Sequence, residues 1–142
     1  MSTTTFLSNE TLWERIAAQI DAARHVDAAI AYVGQRGATL LPLRRGDRLV
    51  VDMSLAAVKA GSTDPREIEK LIRRDVQAFT RRNLHAKLIV TDRSVIAGSA
   101  NVSKRSKDIL DEAAIWTDDP AVVRRARIFI DSSVPNRYVL SI

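Results

Sequence analysis

Two apolar runs, Val26 to Val33, broken only by Asp27, and the continuous Leu49 to Val51 within the segment Arg48 to Met53, constrain this chain most. A strand with one wet face alternates polar and apolar side chains, whereas a strand apolar at successive positions is covered on both faces. The segments around these runs carry a helical period instead. Thr11 to Arg24 sets Leu12, Ile16, Ile20 and Ala23 on one face with Trp13 alongside, which predicts an amphipathic helix. Asp64-Pro65-Arg66-Glu67 reads as a helix start, with Asp64 as cap, proline in the first turn and Glu67 placed to reach back, and that helix runs to about Asp75. Asp119-Pro120 repeats the signal ahead of a helix through Val122, Ala126 and Phe129 to about Asp131.

Further strands are expected at Val76 to Thr80, Leu84 to Thr91, Ser94 to Ala97 and Glu112 to Thr117. Gly34 and Gly37 punctuate a turn, Ala38 to Leu43 fits either helix or strand, and Asn101 to Lys107 reads as a polar loop or short helix. The polar start, Met1 to Phe6, and the last ten residues carry no regular signal. The expectation is an α/β fold with a mixed β-sheet flanked by helices on both faces, in a single domain over residues 1–142.

Composition narrows the function classes. The chain has no cysteine, which removes disulfides, thiolate metal sites and a cysteine nucleophile, and a cytoplasmic setting is expected. No apolar stretch nears the roughly 20 residues that span a bilayer, so membrane insertion is not expected. Against 17 acidic residues stand 22 Lys and Arg, a formal +5, with arginine in pairs or near-pairs at Arg44 and Arg45, Arg73 and Arg74, Arg81 and Arg82, and Arg124, Arg125 and Arg127. Excess positive charge draws polyanions, so nucleic acid is the natural partner, although each pair alone fits a solvated helix face equally well.

One stretch carries chemistry. His85 and Lys87 stand two apart on an expected strand, so their side chains share a face. Gly98-Ser99-Ala100-Asn101 follows the return strand, where small residues let backbone N–H groups approach an oxyanion and Ser99 and Asn101 offer side-chain donors. Opposite such a cradle, an imidazole can attack or move a proton, and an ammonium can neutralise phosphate. No histidine pair or tight carboxylate cluster with metal-ligand spacing lies near His85, so no metal or cofactor is expected.

This pattern, His85-x-Lys87-x4-Asp92-x5-Gly98-Ser99-x-Asn101, resembles the phospholipase D superfamily, with one residue fewer than expected between Asp92 and Gly98. The resemblance extends less specifically from the Val26 strand to Phe129, and it implies a phospholipase D-like fold. It also implies a two-step, metal-independent reaction at a phosphodiester. His85 attacks phosphorus, and the same histidine of a second motif protonates the leaving oxygen. By the same resemblance Lys87, Ser99 and Asn101 hold phosphate oxygens, Lys87, Asn101 and Glu112 act with His85 in catalysis, Glu112 orients the imidazole, and Asp92 and Gly98 brace the motif. Since the motif occurs once, the resemblance implies a homodimer with one composite site. A nuclease acting on DNA, with RNA as the lesser candidate, is the expected activity; a phospholipid phosphodiesterase or phosphatidyl transferase and a non-catalytic nucleic-acid-binding module are the alternatives.

Plainer readings stand beside these. Asp92 can simply start a hairpin, Glu112 can be a surface acid ahead of a strand, and Ser103 and Lys104 can be solvated loop. His25 after the first helix suits a capping cation at a helix C-terminus. Trp13 and Trp116 read as core or dimer-interface residues.

Overall fold

The two apolar runs lie side by side at the centre of the molecule. Strand β2 (Val26–Ile30) pairs in parallel with β3 (Arg48–Val51), Ala28 opposite Leu49 and Ile30 opposite Val51, and every residue of β2 is buried. A computed structural model describes residues 1–134 and 138–141. Around the central pair it places β1 (Thr4–Ser8), β4 (Gln77–Thr80), β5 (Lys87–Thr91), β6 (Val95–Gly98), β7 (Ala113–Thr117) and β8 (Tyr138–Val139) in one sheet of order β1-β7-β6-β5-β2-β3-β4-β8. The β2–β3 and β3–β4 pairs are parallel and the others antiparallel, so the sheet is mixed as expected.

Helices cover both faces, which explains why apolar residues of the central strands point to both sides. On one side α1 (Glu10–Ala22), α2 (Gly37–Leu40) and α4 (Pro65–Arg73) bring Leu12, Ile16, Ile20, Ala38, Ile68 and Leu71 against Ala28, Ile30 and Leu49. On the other, α6 (Pro120–Ser133) brings Val123 and Ile130 against Ala29, Val50 and Val90. Alternate residues of one strand therefore serve two cores. Truncating Ile30 or Leu49 to alanine removes wholly buried groups and costs about 2–5 kcal/mol. The short helices α3 (Leu55–Lys59) and α5 (Lys104–Asp108) complete the set.

Several expectations need correction. The polar start forms β1, because it adds to the edge strand β7 and supplies one buried residue, Leu7, a pattern too weak to read locally. Helix α3 also lacks a sequence signal; its cap, Ser54, accepts Ala57 N–H. The last ten residues include β8, which borrows β4 as a template; 135–137 and 142 of that stretch lie outside the described residues. Asp64 caps α4 as expected, but Glu67 does not reach back to it: its buried carboxylate accepts Ala38 N–H and pairs with Lys70, fastening α4 to α2. His25 does not cap α1 either. Arg44 takes the C-terminal carbonyls of Ile20 and Ala23, and His25 bonds Asp27 at 2.6 Å.

Asp27 is the one fully buried acid at the middle of the sheet, and a cluster of cations neutralises it. Arg48 binds it with two N–H groups at 2.8 and 2.9 Å, His25 lies on one side and Arg127 Nη1 at 3.3 Å on the other. Burial by itself raises the Asp27 pKa, but the hydrogen bonds and charges of Arg48 and His25 outweigh it and hold the carboxyl below its ordinary value.

Candidate active site

The motif residues gather at one end of the central strands. Lys87 opens β5 opposite Ile30, the last residue of β2; Gly98 closes β6 opposite Ala114 of β7; Asn101 and Glu112 follow in the adjoining loops. His85 stands just ahead of β5 rather than within it, because the chain turns through Asn83 at φ 65° and the pairing with β2 begins only at Ala86, whose carbonyl accepts Ala31 N–H. Its side chain is exposed and, among the described residues, has no hydrogen-bond partner. Glu112 likewise precedes its strand by one residue.

Lys87 is half-buried. Its ammonium donates to the His85 carbonyl at 2.9 Å, which ties the two residues together through the main chain as well as by spacing. Burial lowers the Lys87 pKa from its ordinary value, and the negative charge of Glu112 opposes that shift. Glu112 is itself buried. Its Oε1 accepts the Ser99 hydroxyl at 3.0 Å, so its hydrogen-bond partner in this chain is Ser99, while the His85 imidazole is not among its bonded groups.

The cradle is stitched in place from three directions. Ser99 N–H donates to the Ala113 carbonyl at 3.0 Å, and Ser99 Oγ accepts Ala113 N–H at 3.1 Å. Gly98 permits that approach: a Cβ there would strike the Ala113 carbonyl and lie 2.5 Å from Ala114 Cβ. Asn101 Oδ1 accepts Tyr32 N–H at 3.1 Å, which turns its NH2 group away from the loop after β2. Val102 then pairs with that same loop, its N–H to Tyr32 O and its carbonyl from Gly34 N–H, while Lys104 N–H donates to Gln35 O. Gly34 packs closely here: an added Cβ would sit 3.0 Å from Ser103 Cβ, so Ser103 would have to give way.

Asp92 lies at the far end of β5, away from the cradle, and accepts Arg24 N–H at 3.2 Å. It joins the α1–β2 connection to the β5–β6 turn, a bracing contact. Ser103 caps α5 by accepting Ser106 N–H, and Lys104, Arg105 and Lys107 stand exposed on the helix that follows the cradle. Trp13 is buried in the core and Trp116 packs against it, with the Arg15 guanidinium 4.7 Å from the Trp116 ring. Asn9 and Tyr32 carry no motif signal; only the fold brings them to the site. Among the described residues, no three His, Asp or Glu side chains are grouped to hold a metal ion. What the arrangement offers chemically is an exposed imidazole beside an ammonium, with an amide and a hydroxyl on a tightly held turn.

Similarity to known proteins follows the same lines. The profile of the family described as "Cardiolipin synthase, PLD-like domain" matches residues 2–132. Nuc from Salmonella typhimurium, described as a phospholipase D family member, superposes with a TM-score of 0.83 at 13% identity, with 100% of both chains covered. NucT from Helicobacter pylori does so with a TM-score of 0.77 at 16% identity over 99% of this chain and 100% of that one. TrmBL2, an archaeal chromatin protein, gives 0.64 at 9% identity over 97% of this chain and 55% of its own. No curated protein matches by sequence at a significant level. A profile that spans nearly the whole chain, over a fold shared with Nuc, places this protein in the phospholipase D-like family of phosphodiesterase-type domains.

Proposed function

We propose that the protein is a metal-independent phosphodiesterase that hydrolyses nucleic acid, DNA before RNA, at a site shared by two copies of the chain. The observation that carries this reading is the placement of His85 and Lys87 beside the Gly98–Asn101 turn at one end of β5 and β6. In the first step an imidazole nitrogen of His85 forms a bond to phosphorus as the ester P–O bond breaks, and the leaving oxygen takes a proton from the imidazolium of His85 in the second copy. In the second step that neutral imidazole takes a proton from water as the oxygen attacks phosphorus, and the P–N bond breaks. Lys87 and the Asn101 NH2 group neutralise and hold the non-bridging oxygens. Ser99 joins them when its hydroxyl releases Glu112. The Glu112 charge opposes the lowering of the Lys87 pKa by burial and, in this reading, Glu112 also supports an imidazole.

Nucleic acid as substrate is favoured by where the cations stand. Arg44, Arg48, Arg74, Arg81 and Arg127 are spent on bonds inside the fold. Lys104, Arg105 and Lys107 are exposed directly after the cradle, and Arg82 is exposed three residues before His85. A backbone with regularly spaced phosphates offers such exposed charges several anionic partners next to the scissile bond. A second copy is required because the reaction needs two histidines in one site and the motif occurs once.

The test is cleavage of labelled single- and double-stranded DNA and RNA in EDTA by the wild type and by His85→Ala. Cleavage by the wild type alone is expected; equal activity of the two proteins, or dependence on added metal, would sink the assignment. Mixing the proteins tests the shared site. In an exchanged equimolar mixture, activity per wild-type chain halves for a composite site and stays constant for independent ones.

A lipid reading is favoured by the cardiolipin synthase description of the matching profile and by the fold shared with a phosphatidylserine synthase from Haemophilus influenzae, with a TM-score of 0.67 at 16% identity over 98% of this chain and 40% of that one. It uses the same residues on a phospholipid headgroup. No helix among the described residues is long and apolar enough to cross a membrane, so such a substrate would have to be met at a surface. Headgroup release from anionic vesicles, without DNA cleavage, would favour it over the nuclease.

A further inference from the structure

Asn9 joins β1 to α1 with φ 47° and ψ −119°, a backbone conformation natural to glycine and strained for a residue with a side chain. Asparagine often starts a helix by accepting an N–H from its first turn, yet this side chain caps nothing in α1. It is aimed the other way. Oδ1 accepts Glu112 N–H at 2.9 Å, the Asn9 N–H donates to the Glu112 carbonyl at 2.9 Å, and Nδ2 reaches Asp111 Oδ1 at 3.4 Å.

The register explains the arrangement. Ser8 and Ala113 are the last paired residues of β1 and β7, so Asn9 and Glu112 occupy the next rung. An ordinary antiparallel rung would use the main-chain carbonyl of Asn9 to accept Glu112 N–H. That carbonyl is turned into α1 instead, where it accepts the N–H groups of Leu12 at 3.0 Å and Trp13 at 3.2 Å. The side-chain amide stands in for it on the rung. One residue thus starts the helix with its main chain and continues the sheet with its side chain. Glycine would meet the first demand with less strain, but it has no acceptor for Glu112.

We infer that Asn9 is a positioning residue: it fixes the main chain of Glu112 so that the carboxylate meets Ser99 and faces Lys87. Its kinetic consequence rests on the phosphodiesterase reading, whereas its effect on Lys87 does not.

The experiment uses the full chain with Asn9→Gly, alone and combined with Glu112→Gln. Asn9→Gly is expected to melt no lower than the wild type, to cleave with kcat reduced about tenfold at unchanged KM, and to add less than about a twofold loss on the Glu112→Gln background, as coupled residues do. Full kcat in Asn9→Gly, an undiminished loss on top of Glu112→Gln, or a chain that no longer folds each overturns the inference. The Lys87 ammonium titrated by NMR gives a readout free of turnover. Because the Glu112 charge raises the Lys87 pKa, Asn9→Gly shifts that titration to lower pH. An unshifted Lys87 overturns the inference whether or not the chain cleaves phosphodiesters.

Discussion

Asn101 gives its carbonyl oxygen to Tyr32 N–H at 3.1 Å, and this bond decides which end of its amide faces the open side of the cradle. A backbone N–H can only donate, so the acceptor is Oδ1 and the NH2 group is the free end. Asn101→Asp keeps the bond to Tyr32 and replaces the free donor by an anionic oxygen. The melting temperature should change little while kcat/KM for a phosphodiester falls about 100- to 1000-fold, as when one oxyanion donor is removed. Equal activity of the variant would remove Asn101 from the phosphate site.

In the proposed reaction Lys87 and Glu112 together set the alkaline limit. Burial lowers the Lys87 pKa and the Glu112 carboxylate raises it, with burial the larger influence. The cation proposed to bind phosphate is therefore lost below the usual ~10.4 of a free lysine as pH rises. Glu112→Gln removes the opposing charge, so the alkaline limb of kcat/KM should move to lower pH. A limb that stays in place, or moves up, contradicts this assignment.

Gly98 is a packing requirement with a functional consequence. An added Cβ would meet the Ala113 carbonyl and Ala114, and the strand carrying Ser99 would have to move away from β7. Gly98→Ala should lose about 1–3 kcal/mol of stability, the usual range for overpacking, and most of its activity. Urea melts paired with assays at low temperature, where the variant remains folded, separate the two losses. Full activity in the folded variant would show that the cradle tolerates the shift.

The Asp27 cluster makes stability depend on pH in a definite direction. The folded-state pKa of Asp27 is depressed, so its contribution is complete above the ordinary carboxylate value near ~4 and disappears as pH falls through the lower folded value. Asp27→Asn leaves Arg48 and Arg127 facing a neutral group and should cost about 3–5 kcal/mol at pH 7, less as the pH drops. Denaturant titrations at pH 7 and pH 3 check this. A penalty that grows toward acid pH would reverse the sign and refute it.

Wherever a signal was carried by spacing along one segment, it was legible in the sequence. The unbroken apolar order of Leu49 to Val51, beside the mostly apolar Val26 to Ile30, demanded a sheet covered on both faces, because such burial accommodates apolar groups at successive positions. The proline-led starts at Pro65 and Pro120 placed two helices within a residue or two. His85, Lys87, Gly98, Ser99 and Asn101 stood out because a turn between two short strands brings such residues together without help from the rest of the chain.

Only the tertiary structure decided how that cluster is held. Glu67 and His25 had ordinary local readings, as cap partners, and lost them to groups that the packing brings within reach: Ala38 N–H, 29 residues away in the chain, for Glu67, and the Asp27 carboxylate, buried only by the sheet around it, for His25. A buried polar group binds whichever partner the packing leaves within reach, and sequence distance says nothing about that reach. For the same reason Asn9, about a hundred residues before Glu112, could be read locally as nothing more than a helix start, although it supplies the rung on which Glu112 rests. The residues proposed to face phosphate followed from the motif; the contacts of Asn9 and Tyr32 with Glu112 and Asn101 depend on β1 and the β2 loop folding back against β7 and the cradle.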